Sequence, residues 1–158
     1  YSRFKGCRNA LETSCIMSAP KKIVDMMMAS DFFSQWLGIE ILEVKEGTCK
    51  LQMTVRKDML NGFGIAHGGI TYSLADSALA FASNSHGQKS VSIETSISHT
   101  ESLKENDVII AEAFEEKCSN KIGIYTIKIT KSSDLKVVAL FKGTVYRTSQ
   151  NWLNSTED

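Results

Sequence analysis

The spacing of apolar positions changes character several times along this chain. Between Pro20 and Gly38 it is helical: Ile23, Met26, Met27 and Met28 stand among polar residues, and Phe32, Phe33, Trp36 and Leu37 follow. Pro20 suits the first turn of a helix and Gly38 its stop. From Ile39 the period becomes two. Ile39, Ile41 and Val44 alternate with Glu40, Glu43 and Lys45, with Leu42 out of step. After Gly47, Leu51, Met53 and Val55 alternate with Lys50, Gln52, Thr54 and Arg56. Two such runs joined by a tight turn predict a β-hairpin with one buried face.

The loop NGFGIAHGG then leads into ITYSLADSALAFASNS, ending near Gly87. Ile70, Leu74, Ala78 and Phe81 share one helical face, and Ala75, Leu79, Ala80 and Ala82 leave the rest small or apolar. A helix apolar nearly all round is a buried helix. Four strand-like runs follow: VSIETSISH, DVIIAEAFEEKC, KIGIYTIKITK and KVVALFKGTVYRT, separated by turn chemistry at ENDV, CSNK and SSDL. The expected architecture is α+β, an antiparallel sheet wrapped around one central helix. Its open face or edge needs covering, so an oligomer is expected.

With 158 residues, 42% of them hydrophobic, the chain suits a single globular domain. Residues 17–150 are expected to form it, with 151–158 a tail. Residues 1–16 lack periodicity and an apolar signal segment, and Met17 reads as a natural start, so 1–16 are expected to be a leader or foreign to the gene product. Lys plus Arg and Asp plus Glu balance at 18 each, which argues against nucleic-acid and membrane-surface partners. No apolar run approaches the ~20 residues that cross a bilayer. Cys7, Cys15, Cys49 and Cys118 form no CxxC pair, and His67, His86 and His99 form no local ligand pair. The expectation is free thiols in a reducing, cytoplasmic compartment and no metal.

Asp76 is the only charged residue between Asn61 and Ser85, counting histidine as neutral. A surface carboxylate is the ordinary reading of such a residue. Here the helix has little polar face, and a part-buried carboxylate is costly unless hydrogen-bonded or at work, with its pKa raised toward that of a useful base. Upstream, His67-Gly68-Gly69 lie where the loop enters the helix. The first N–H groups of a helix have no internal acceptor, and glycine lets a ligand come close, which suits a developing oxyanion. A tight turn that needs glycine explains HGG equally well. Gly68 and Asp76 are two turns apart, ~12 Å along the axis. Two antiparallel helices across a dimer axis would bring one subunit's amide to the other's carboxylate.

The pattern N-G-x-x-x-x-H-G-G-x-x-x-x-L-A-D resembles the hotdog-fold acyl-CoA thioesterases, nearest the phenylacetate-degradation (PaaI-type) subgroup. The similarity runs from about Phe32 to Arg147 and includes SNKIGIYTIKI and VALFKGTVYR. It implies a hotdog fold, a curved antiparallel sheet around a long helix, assembled as a dimer of dimers with sites between protomers. It implies an acyl-CoA substrate and no separate cofactor, since coenzyme A is part of the substrate. Carried over by position, Asp76 matches the catalytic base or nucleophile, Gly68 the carbonyl-polarising N–H, Asn61 the assisting loop amide and His67 the loop brace. Ser92 matches a hydroxyl that orients water, and reads equally well as an ordinary strand serine. Asn120, Lys121 and Arg147 match coenzyme A contacts, though each also reads as a solvated surface group. Phe63, Gly69, Tyr72, Ser73 and Ala80 are candidates to line the acyl pocket, with core packing an equal explanation for the two aromatics. One departure stands out: SHTESL, with His99 and Thr100, stands where many relatives carry an aromatic or basic residue and a proline. The rival readings are a hotdog enoyl-CoA hydratase or dehydratase and a non-catalytic acyl-CoA sensor.

Overall fold

The structure is a computed structural model and describes residues 18–153. The expected leader, and the tail beyond Leu153, lie outside these residues. The first helical segment is two helices, α1 (Ala19–Ser30) and α2 (Phe32–Leu37). Asp31 breaks them apart. It leaves helical geometry at φ −93° and ψ 80°, and its carboxylate accepts from the Ser34 N–H at 2.9 Å and from the Ser34 hydroxyl at 2.6 Å. A short acid suits that N-cap role, so the local cap overrides the continuous apolar period. Gly38 closes α2 at φ +72°, as expected of a helix stop.

The hairpin is β1 (Glu40–Lys45) and β2 (Thr48–Thr54). The register of β1 shifts between Ile41 and Glu43, so Leu42 is an extra residue in a bulge, and it is exposed. That bulge is why Leu42 breaks the alternation in the sequence. A 3-10 turn (Lys57–Met59) and the glycine loop lead to α3 (Gly68–Asn84). The last four strands are β3 (Gln88–His99), β4 (Val108–Cys118), β5 (Ile122–Lys131) and β6 (Val137–Asn151). All pair antiparallel in one sheet of order β1-β2-β4-β5-β6-β3. The sheet extends past residue 150: Asn151 still pairs with Gln88, and the Trp152 indole donates to Asn84 Oδ1 at 2.6 Å.

The sheet wraps α3, whose Leu74, Ala75, Ala78, Leu79, Phe81 and Ala82 are at most 1% exposed. Burying a side chain the size of Leu or Phe stabilises by roughly 1.5–3 kcal/mol, so this helix anchors the fold. At Gly143 of β6 the sheet packs tight against it, and an added Cβ there would lie 2.4 Å from Leu79 Cδ2. One stripe of α3 stays open: Gly69, Ser73, Asp76 and Ala80 are only part-buried, and Tyr72 beside them is exposed. Strand β3 ends the sheet, so its outer edge has no partner strand among the described residues, and Val91 and Ile93 on it are exposed.

Candidate active site

The glycine loop is held by its own backbone. Asn61 N–H donates to Ile65 O at 2.8 Å, Gly64 N–H to Asn61 O at 3.0 Å, and His67 N–H to Met59 O at 2.9 Å. Gly64 sits at φ +72°, where a side chain would be strained. Asn61 Oδ1 accepts from the Phe63 N–H at 2.9 Å, and among the described residues the Asn61 NH2 has no acceptor.

His67 is the N-cap of α3. Its Nδ1 accepts from the Gly69 N–H at 2.9 Å, which places the ring proton on Nε2. The brace role therefore fits His67, and the Gly69 amide is committed to it. The next donor is different: among the described residues the Gly68 N–H has no acceptor. It stands at the first position of a 17-residue helix, where helical geometry provides none.

Gly68 and Asn61 open onto the same cavity of about 380 Å³, walled also by Thr71, His99, Glu101 and Leu103. His67 and Gly69 line a separate hollow of about 340 Å³ on the other side of the helix start, with Phe33, Ile70 and Ser73. His99 and Thr71, unassigned in the sequence reading, crowd Gly68. The Thr71 hydroxyl donates to Gly68 O at 3.0 Å, and His99 Nε2 lies 2.7 Å from Thr71 Oγ1 and 3.2 Å from Gly68 O. An added Cβ at Gly68 would lie 3.3 Å from the His99 ring, so a side chain there would push that ring by a few tenths of an ångström.

Asp76 is part-buried, and its carboxylate has no hydrogen-bond partner among the described residues. Its pKa is raised, first by burial and then by the charge of Asp31. Asp31, another residue the sequence reading did not assign, reaches this region through Ser34, whose hydroxyl lies 2.9 Å from that of Ser77 beside Asp76. The cap pattern at Asp31 was the available signal for it. Within one chain Asp76 lines neither the Gly68 cavity nor the His67 hollow.

The remaining candidates lie elsewhere. Ser92 pairs with Val145, which is buried against α3, so Ser92 faces the helix side at the free sheet edge and is exposed. Phe63 is 90% exposed at the loop tip. The Tyr72 ring packs edge-on to Phe141, 5.4 Å between centroids, and its hydroxyl lies 2.6 Å from Thr95 Oγ1. Asn120, Lys121 and Arg147 gather at the β4–β5 turn. The Arg147 guanidinium donates to Ser119 O at 2.6 Å and to Cys118 Sγ, so it braces the turn. This turn belongs to the far end of α3: Gly47, next to Glu115, donates to Ser85 Oγ at 2.8 Å, and His86 bonds to Glu115. A 17-residue helix is about 25 Å long, so these groups cannot serve their own chain's Gly68.

At that far end, His86, Glu115 and Cys118 offer ligand atoms within 4.8 Å of one another, a grouping no local spacing announced. Protein partners occupy them: His86 also faces Glu46, Glu115 takes the Tyr125 hydroxyl at 2.7 Å, and Arg147 stands on Cys118. Burial pushes the Cys49 thiol up to about 12. Among the described residues no helix is long and apolar enough to cross a membrane.

Residues 63–138 match the thioesterase superfamily. A protein of Archaeoglobus fulgidus is 41% identical over 132 residues, covering 84% of this chain and 85% of that one. The acyl-coenzyme A thioesterase PaaI of Escherichia coli is 36% identical over 121 residues, 77% of this chain and 86% of that one. The solved structure of the E. coli PaaI protein from the phenylacetic acid degradation operon superposes with a TM-score of 0.82 at 33% identity, covering 84% of this chain and 96% of that one.

Proposed function

The chain belongs to the thioesterase superfamily, as a hotdog-fold thioester hydrolase of the PaaI-type acyl-CoA thioesterases, and from that premise we propose a mechanism and a site shared between two copies. The observation that carries the proposal is the pair on α3: an uncommitted Gly68 N–H at its start and a part-buried, unpartnered Asp76 two turns on. In one chain they are too far apart to act on the same carbonyl. In a dimer with the two α3 helices antiparallel, the partner's Gly68 meets this chain's Asp76. The open stripe of α3 and the unpaired β3 edge are the surfaces such a dimer covers. The same arrangement carries Asn120 and Lys121 toward the partner's Gly68 cavity, where the coenzyme A moiety enters, and places Ser92 of the free edge near the joint site. Two such dimers form the tetramer.

The thioester carbonyl oxygen accepts from the Gly68 N–H, assisted by the uncommitted Asn61 NH2. Asp76 removes a proton from water, which attacks the carbonyl carbon, or attacks that carbon itself to form an anhydride that water opens. Collapse of the tetrahedral intermediate breaks the C–S bond. The coenzyme A thiolate leaves as the weaker base and takes up the proton, and the free acid is the other product. Coenzyme A is part of the substrate, and no separate cofactor enters the mechanism. Aryl-acetyl and hydroxylated aryl-acetyl thioesters are the first substrates we assign, medium-chain acyl groups the next, with Phe63 and Tyr72 as the aromatic walls. Free thiols at Cys49 and Cys118 accord with a cytoplasmic location. The hydratase reading needs a histidine free to act beside Asp76, and the His67 Nδ1 is committed to the Gly69 N–H.

Thiol release from a panel of acyl-CoAs tests this, with wild type beside Asp76→Ala. Turnover by wild type and a loss of ~10² or more in the variant support it. Equal rates remove Asp76 from the chemistry. Single turnover in ¹⁸O-water then separates the two routes, since label entering Asp76 marks the anhydride.

A further inference from the structure

The peptide units on both sides of Gly68 are fixed, and by different parts of the molecule. On the upstream side, His67 N–H donates to Met59 O at 2.9 Å and His67 O accepts from Ile70 N–H at 2.9 Å. On the downstream side, the Gly69 N–H is held by His67 Nδ1, and the Gly68 carbonyl by Thr71 Oγ1 and His99 Nε2. His99 ends β3, opposite Ala139 of β6, and the next residue is pinned by Thr100 N–H to Val138 O at 3.0 Å and the Thr100 hydroxyl to Val137 O at 2.6 Å. A sheet residue thus grips the first turn of the helix, and its ring lies close enough to Gly68 that an added Cβ would sit 3.3 Å from it. The contacts form a consistent donor pattern: the Thr71 hydroxyl donates to Gly68 O, and His99 Nε2–H donates to Thr71 Oγ1 and to the same carbonyl.

We propose that His99 is a positioning residue for the hydrolysis: together with Thr71 it locks the first turn of α3, so that the uncommitted backbone Gly68 N–H keeps a single direction in the cavity it shares with Asn61. The inference rests on the reading of Gly68 as the carbonyl donor. A preorganised donor is worth most when it need not reorient as charge develops, so the lock acts on the chemical step rather than on binding.

The test uses the full chain and the best acyl-CoA of the panel. His99→Phe keeps the ring over Gly68 and removes the N–H. We expect kcat to fall about 5- to 10-fold, what one hydrogen bond is worth, with KM within about twofold and Tm unchanged. His99→Gln, which restores an N–H at similar reach, recovers most of kcat. Thr71→Val gives a loss like that of His99→Phe, and the double variant is no worse than either, since both remove the same lock. Wild-type kcat in His99→Phe overturns the proposal, as does a change in KM alone, which would make His99 only a wall. Parallel loss of kcat and Tm with no recovery in His99→Gln overturns it as well. Full activity in Asp76→Ala sinks the hydrolytic reading of the site and this inference with it, whereas a loss there beside full kcat in His99→Phe overturns the positioning role alone.

Discussion

The two ends of α3 are treated oppositely by the rest of the chain. At the C-terminal end the polar side chains Ser83, Asn84, Ser85 and His86 all have partners, and only Arg147 Nε, at the adjoining β4–β5 turn, is buried without one among the described residues. Asn84, 2% exposed, donates to Ala80 O and Ser90 O and accepts from Ser90 N–H and the Trp152 indole. Ser85 Oγ donates to Ala82 O at 2.7 Å and accepts from Gly47 N–H. His86 lies between Glu46 and Glu115. At the N-terminal end hydrogen bonds surround Gly68 without using its N–H, and the stripe below it leads to an unpartnered carboxylate. Buried polar groups are normally satisfied, so the well-partnered end reads as stability, and the incomplete end is where the proposed site lies.

That contrast breaks if substitutions at the two ends have the same consequence. The largest effect belongs at the incomplete end. Asp76→Ala lowers kcat/KM by ~10² or more without lowering Tm, read by thiol release beside thermal melting. At the well-partnered end, Asn84→Ala strands the buried Ser90 N–H and the Trp152 indole. It costs about 2–6 kcal/mol in denaturant unfolding, at about 1–3 kcal/mol per orphaned group, with activity per folded molecule retained. Between the ends, Gly143→Ala pushes a methyl into Leu79 and costs about 1–3 kcal/mol in the same measurement.

The smallest effect sharpens the comparison through pH. The Asp76 pKa is raised in the folded chain above its ordinary 3.8, so the native state holds that proton more tightly than the unfolded chain does. Its contribution to stability is fully present below 3.8 and is lost as pH rises through the raised value. Asp76→Asn, neutral throughout, is therefore more stable than wild type at pH 7, and the gap closes as pH falls toward 3.8. A melting series over pH reads this, and a constant gap counts against burial as the cause. The acid limb of kcat/KM follows the same group, with activity lost as pH falls through its raised pKa. An Asp31→Asn variant moves that limb to lower pH, because it removes the second cause of the shift.

Much of this was legible in the chain. The all-round apolar character of residues 70–82 announced a buried helix, the period of two announced the strands, and one acid in that helix announced Asp76. Elements governed by a single side chain or an extra residue were harder to read. The continuous apolar spacing through residues 23–37 hid the break that the Asp31 cap imposes, and Leu42 looked like noise until pairing with β2 made it a bulge. The loop and helix start that hold the candidate residues Asn61, His67 and Gly68 were legible, because a loop entering a helix has local rules.

By itself the sequence determined the periodicities, the glycine loop, the lone acid and the family pattern, since each depends on residues a few positions apart. Only the tertiary structure decided which N–H stays without an acceptor, since that depends on where the His67 ring turns and how His99, 31 residues away, meets Gly68. Only the fold showed that Arg147 and its neighbours lie at the wrong end of α3 for their own chain. That distance follows from helix length and strand order, and no local spacing encodes it.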